Sequence, residues 1–304
     1  WRGMSGSSRD GTAAAASSTI GATSRSSMLP AAATTKVAAA CAPRSARLAA
    51  ATALREALLT GPGEVESENP LLCANADRGF FPPGSAEALV QWLVRFESLG
   101  NDLAQSIGRL GVASTAIAVS NMKRAVDLRR RTAAELQRVN LNVDGTVRER
   151  VLNMVDDLER VPQAVGSASL VSDDARTLPH ELPGIDLVVT SPPYLNGTNY
   201  CRNTKLELLL LRHMQSESEL AGLRAASVTA GINNVSRRMR KPDDLPEVHE
   251  VAEALDERGY DRRIAAMVRA YFSDMRLVLA AVQERMASGG RLVLDIGDSR
   301  FAGV

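Results

Sequence analysis

A short apolar segment that runs into two adjacent prolines constrains the fold of this chain more than any other feature. Residues 184–190 predict a buried β-strand, and Ser191-Pro192-Pro193-Tyr194 follows it directly. Each proline holds φ at about −65° and has no N–H, so the pair makes a stiff corner whose carbonyls are free to face a ligand. Ligands normally bind at such a place, the carboxyl edge of a parallel α/β sheet. The alternative is a rigid strand-to-loop turn without a ligand.

A helix–strand unit late in the sequence predicts a second strand for the same sheet. Apolar residues recur at helical spacing through residues 264–286, and Gly289-Gly290 is a typical helix stop. Residues 292–296 then predict another buried strand, which Gly297-Asp298-Ser299 follows. Strands that alternate with helices predict an α/β fold with a parallel sheet.

The sequence before the corner has mostly helical patterns. Residues 31–60 are Ala-rich, and residues 85–161 carry apolar side chains at helical spacing. Thr146-Val147-Arg148-Glu149 predicts a capping box at the start of a helix that Pro162 stops. Ala168-Ser169-Leu170-Val171 predicts one more strand ahead of the corner.

The net charge and the cysteine and histidine counts limit the kinds of function that we expect for the chain. The chain has 304 residues and a net charge of +1, which does not by itself indicate a nucleic-acid partner. Arg129-Arg130-Arg131 and residues 237–241 are the best candidates for contacts to DNA, although such clusters are more often a solvated helix face or loop than a phosphate contact. The three cysteines and three histidines lack metal-ligand spacing, so we expect no metal and a reducing cytoplasm. No apolar run approaches the roughly 20 residues of a membrane span.

The corner and its continuation resemble a known enzyme family. Thr190-Ser191-Pro192-Pro193-Tyr194 is similar to the catalytic motif of the S-adenosylmethionine-dependent DNA amino-methyltransferases, and most of all to the cytosine-N4 branch. Residues 195–208 and the late helix–strand unit also resemble a bacterial subgroup. The resemblance implies a Rossmann-like methyltransferase sheet with a large helical insertion, incomplete at both ends. It divides the chain into a degenerate or truncated cofactor-binding segment (1–60), a helical insertion (61–165) and a catalytic part (166–304).

The resemblance also implies an activity and roles for the corner residues. A methyl group would pass from S-adenosylmethionine to the exocyclic amine of a flipped DNA base, cytosine N4 in preference to adenine N6. Ser191 Oγ and the Pro192 carbonyl would accept the amine hydrogens, Pro193 would complete the stiff corner, and Tyr194 would stack on the base. No cysteine nucleophile is needed.

The cofactor residues that the resemblance implies are Gly3 and Gly6, in a glycine-rich loop, and Asp174, as acceptor for the adenine amine of the cofactor. The glycine match is poor, because Ser26-Ser27 stand where the family has a ribose-binding carboxylate. A flexible terminus and an organellar transit peptide are alternatives for this segment, and a solvated turn carboxylate is the alternative for Asp174.

DNA is the expected partner, with a partner subunit as a further possibility, in the setting of restriction-modification. Two other functions stay open. One is a catalytically inactive methyltransferase-like subunit that binds DNA or a partner chain. The other is a methyltransferase for a glutamine side chain or an RNA base, although those relatives usually carry Asn where this chain has Ser191.

Overall fold

The computed structural model describes residue 39 and residues 41–162, 166–195, 199–236 and 239–304. The helices are α1 (Arg44–Thr60), α2 (Pro70–Arg78), α3 (Ser85–Glu97), α4 (Asp102–Ala116), α5 (Ala133–Leu136), α6 (Val143–Arg160), α7 (Tyr200–Asn203), α8 (Lys205–Leu210), α9 (Leu220–Ala226), α10 (Pro246–Arg258) and α11 (Arg263–Arg285). The strands are β1 (Met122–Lys123), β2 (Arg129–Arg130), β3 (Ile185–Thr190) and β4 (Met286–Leu294), and short 3₁₀ turns lie at Glu217–Glu219 and Ile232–Asn234.

One apolar core joins α1–α4, α6 and the helices that follow the corner, α7–α9. Helix α6 contributes Val147, Val151 and Val155, which are fully buried and spaced four residues apart on the predicted face. A Cβ at Gly108 of α4 would stand 2.3 Å from the ring of Phe96, so only glycine lets α4 lie this close to α3. The chain therefore enters the helical core as soon as it leaves the corner.

The start of α6 differs from the predicted one. Asn142 caps the helix, and its Oδ1 accepts a hydrogen bond of 2.8 Å from Gly145 N. The predicted capping box at Thr146 is wrong, because Thr146 Oγ1 instead donates to the Asn142 carbonyl inside the helix. Asparagine is a stronger N-cap than threonine, so the helix begins at the earlier signal. The predicted stop is confirmed, since α6 ends at Arg160, two residues before Pro162.

Strands β3 and β4 pair in parallel, as predicted, with Val188 opposite Leu292 and Thr190 opposite Leu294. The predicted helix stop at the glycine pair is wrong, because α11 ends at Arg285 and β4 begins at the next residue. A Cβ at Gly290 would stand 2.7 Å from the Ile185 carbonyl oxygen, so glycine is needed where the two strands come closest. The glycine pair therefore serves the strand pairing.

The predicted burial of these strands is also wrong. Leu187, Val189 and Val293 project from one face of the sheet and are 56%, 70% and 51% exposed. A parallel sheet is buried only where other elements cover both faces, and no described element covers this one. Residues 168–171, predicted as a strand, form no strand. The described residues form a mixed α/β fold in which the sheets β1–β2 and β3–β4 have two strands each.

Candidate active site

Three side chains meet where β3 and β4 end. Ser191 Oγ lies 2.9 Å from Tyr194 Oη, and Tyr194 Oη donates a long hydrogen bond of 3.4 Å to Asp295 Oδ2. Asp295 N donates to the Thr190 carbonyl at 3.0 Å, which extends the strand pairing past the end of β4. The carboxyl ends of parallel strands share one edge of a sheet, so the corner after β3 and the residue after β4 form one site.

At the corner, the Ser191 hydroxyl faces solvent and the buried Pro192 anchors the chain. Ser191 is exposed, Pro192 is buried, and Pro193 and Tyr194 are half-buried. The Tyr194 ring runs beside Gly297, where a Cβ would stand 3.9 Å from the ring. The structure thus brings the four predicted corner residues together, with the Ser191 hydroxyl exposed where it can meet a ligand.

Asp295 is the residue that sequence reasoning missed. It follows an apolar strand directly, as Ser191 does. The sequence predicted a strand over residues 292–296, with Asp295 inside it, whereas β4 ends at Leu294 and Asp295 is the first residue after it. It is the observed end of β4 that brings Asp295 to the corner, because the carboxyl ends of parallel strands share one edge of a sheet.

Asp174, the predicted cofactor acceptor, is engaged within the protein. Both of its carboxylate oxygens accept hydrogen bonds from the Arg176 guanidinium, at 2.9 to 3.2 Å. Burial acts to raise the pKa of Asp174, but the hydrogen bonds from the side chain and backbone of Arg176, with its charge, hold that pKa below its usual value. This stabilisation is present above the ordinary carboxyl pKa and is lost as the pH falls through the lower folded-state pKa.

Arg176 also reaches a second, more deeply buried carboxylate. Its Nη1 lies 3.2 Å from Asp274 Oδ1, and its Nη2 donates to the Ala226 carbonyl at 2.6 Å. The Asp274 side chain on α11 is only 6% exposed and accepts a further hydrogen bond of 3.0 Å from Thr229 N. Arg176 therefore ties the segment before the corner to α11 and to the end of α9.

Replacement of Arg176 by methionine is expected to lower the free energy of unfolding by about 3 kcal/mol, because it leaves the buried Asp274 charge without its main partner. Urea unfolding measures the change. Arg160→Met is the matched control, since Arg160 is exposed and paired with Asp156 at 3.4 Å, and we expect less than about 1 kcal/mol there. Equal losses in the two variants would contradict the assigned role of Arg176.

The other predicted binding residues either bond to groups within the protein or lie outside the described residues. Gly3 and Gly6 lie outside the described residues, as do Arg237 and Arg238 of the second basic cluster. In the first cluster, Arg131 is fixed by the carbonyls of Ser120 and Ile117. Arg129 pairs with Glu135 and Arg130 donates to the carbonyls of Arg78 and Gly79, although both residues remain exposed.

Neither a metal site nor a membrane span is found in the part of the chain that the structure describes. No group of three or more His, Cys, Asp or Glu side chains is placed to hold a metal ion there. Among the described helices, none is both long and apolar enough to cross a membrane.

Comparison of the chain with protein-family models, with curated proteins and with solved structures finds no match. The geometry of the corner and its surroundings is therefore the basis on which a function is assigned.

Proposed function

We propose that this chain is a DNA amino-methyltransferase that modifies the exocyclic amine of a base turned out of the duplex, cytosine N4 in preference to adenine N6. The observation that supports this most is the line of contacts from Ser191 through Tyr194 to Asp295 at the shared end of two parallel strands. It places an exposed acceptor, an aromatic ring and a carboxylate at one edge. An amine-bearing base can use all three.

The amine needs activation because its lone pair is delocalised into the ring. An oxygen that accepts the amine hydrogens favours a tetrahedral nitrogen and localises the lone pair. Ser191 Oγ can accept only if its own proton points elsewhere, and Tyr194 Oη lies 2.9 Å away to take that hydrogen bond. Tyr194 Oη then donates to Asp295. The Asp295 carboxylate can only accept, so it fixes the direction of both hydrogen bonds, from Ser191 to Tyr194 and from Tyr194 to Asp295.

The base must leave the duplex to reach this edge, which costs unstacking energy. Tyr194 offers a ring for the extruded base, and stacking on an aromatic side chain contributes about 1–3 kcal/mol per base. The Pro192 carbonyl is the second acceptor for the amine. The buried Pro192 ring holds the corner in place, so positioning supplies much of the rate enhancement.

The methyl donor of this reaction is S-adenosylmethionine, which supplies an electrophilic sulfonium methyl group when bound. The residues that the resemblance implies for it are either hydrogen-bonded within the protein or outside the described part of the chain. Asp174 has both oxygens occupied by Arg176, and Gly3 and Gly6 lie outside the described residues. We therefore assign roles only on the amine side of the reaction.

A catalytically inactive methyltransferase-like subunit that binds DNA or a partner chain is the second candidate. The engaged carboxylate of Asp174 favours it, and so does the uncovered apolar face formed by Leu187, Val189 and Val293. Exposed apolar patches of this kind often meet another chain. Binding of the cofactor separates the two candidates, because an inactive scaffold does not need it.

The test is methylation of duplex DNA by the purified chain with S-adenosylmethionine that carries an isotope-labelled methyl group. Mass spectrometry of the digested nucleosides is expected to find labelled N4-methylcytosine, whereas labelled N6-methyladenine would keep the activity and change the base. A calorimetric titration with S-adenosylmethionine runs in parallel. A folded chain that neither binds the cofactor nor yields a labelled base would overturn the proposal in favour of the inactive subunit.

A further inference from the structure

The hairpin formed by β1 and β2 leans against the helix that follows the corner. Asn199 N donates to the Val126 carbonyl at 3.1 Å, and Asn203 Nδ2 donates to the Ala125 carbonyl at 3.1 Å. Arg124 Nε returns a bond to the Asn203 carbonyl, and Arg202 pairs with Asp127 at 2.6 Å. The tip of the hairpin is thus fixed along α7, from Asn199 to Asn203, by backbone and side-chain contacts.

This attachment brings the hairpin close to the corner. Asn199 lies five residues after Tyr194, a separation that the chain can span over at most about 18 Å. The buried side chains of Met122 and Leu128 anchor the two ends of the tip in the helical core. The tip is therefore anchored to a segment that begins within about 18 Å of Tyr194.

The hairpin surface is cationic. Residues 122–130 contain four basic side chains and one acidic one. Lys123 and Arg129 share Glu135 as partner, at 2.7 and 2.8 Å, and both side chains are about half exposed. Two cations share this one carboxylate, so the group keeps a net charge of +1 with which a phosphate can interact.

The apex of the hairpin is apolar. Val126 lies between the buried anchors Met122 and Leu128 and is itself 65% exposed. An apolar side chain on a cationic projection is the arrangement with which many proteins enter a duplex, where the apolar group contacts the bases and the cations contact the backbone. Binding of a free anion or an acidic peptide would account for the cations but not for the exposed apolar side chain of Val126.

We propose that the hairpin Met122–Arg130 is a surface that holds duplex nucleic acid beside the corner, with Lys123 and Arg129 on phosphates and Val126 against the bases. This rests on the proposed function in that it names the element that positions the DNA. Each phosphate contact releases counterions, so each cation contributes to the salt dependence of binding.

The first experiment measures the binding of a fluorescent duplex to the full chain, without cofactor, over a range of salt concentrations. The double variant Lys123→Gln/Arg129→Gln is expected to reduce the slope of log K against log salt by about 1–2. The control is Arg263→Gln/Arg269→Gln, which removes the same charge from arginines paired with Asp261 and Asp256 on another surface. An unchanged slope, or the same change in both double variants, would overturn the proposal.

A second variant guards against local misfolding of the charge variant. Val126→Ser changes a side chain that is 65% exposed, and it is expected to lower duplex affinity by about tenfold, the value of burying one valine side chain. Val251→Ser, at another exposed valine on α10, is expected to bind as the wild type does. Equal affinities for Val126→Ser and the wild type would remove the apolar contact and with it the proposed docking mode.

The two proposals fail in different ways. Duplex binding that follows these variants while no methylated nucleoside forms would reject the methyltransferase and keep the surface. Methylation by variants that bind duplex as the wild type does would reject the surface and keep the methyltransferase. A wild-type chain that methylates single strands and does not bind duplex would also reject the surface.

Discussion

Replacement of Ser191 by alanine is expected to lower methyl transfer by about 10- to 1000-fold, the usual loss when one transition-state hydrogen-bonding group is removed. The change deletes the only atom of this side chain that can accept from the amine, and it leaves the buried Pro192 and the strand pairing of Thr190 in place. Because Ser191 is exposed, we expect thermal unfolding to change little. The measurement is the single-turnover rate of labelled methyl incorporation into duplex DNA.

A second substitution distinguishes the direction of the hydrogen bond from its presence. Tyr194→Phe keeps the ring but removes the Oη that lies between Ser191 and Asp295. We expect a smaller loss than in Ser191→Ala, mainly in kcat, because stacking survives while the Ser191 proton loses its acceptor.

The matched control for Ser191→Ala is Ser98→Ala, at a serine whose Oγ donates to the Arg95 carbonyl. Full activity of Ser191→Ala would exclude Ser191 from the reaction.

The features of the fold that were predicted correctly are those that short stretches of the sequence determine. The apolar run before Ser191 predicted β3, and the period of the valines after Val143 predicted the buried face of α6. The parallel pairing of β3 with β4 also followed, because a long helix separates the two strands. These features need only periodicity and the chemistry of proline.

The features that were missed depend on which surfaces meet. An apolar strand reads as buried, yet Val189 is exposed because no described element covers its face. Nothing in the sequence predicted that Gly108 would be the place where α4 meets the Phe96 ring. Asp174 was predicted as a ligand acceptor, and nothing local indicated that Arg176 would link it to Asp274 on a helix about a hundred residues later.

The helical core supports the corner, and Trp92 is its largest fully buried side chain. The indole stacks on Phe96 with ring centroids 5.4 Å apart, and the Arg148 guanidinium of α6 lies 5.0 Å from its centroid. Trp92→Ala removes all of these contacts and leaves a cavity, so we expect a loss of about 3–5 kcal/mol in the free energy of unfolding. For a chain of this size that corresponds to a fall of roughly 5–8 °C in Tm.

The same substitution tests whether the corner depends on the helical core. Leu206 and Leu209 of α8 belong to the core that contains Trp92, and α7 and α8 hold the chain as it leaves the corner. Methyl transfer by Trp92→Ala is therefore expected to fall with temperature in step with helical unfolding followed by circular dichroism. Leu59→Ala is the control, because Leu59 lies on α1 and is 86% exposed, and its Tm is expected to stay near that of the wild type. Activity that outlasts the helical transition would show that the corner holds its geometry without α7 and α8, and a stability loss below about 1 kcal/mol would contradict the central place of Trp92 in the core.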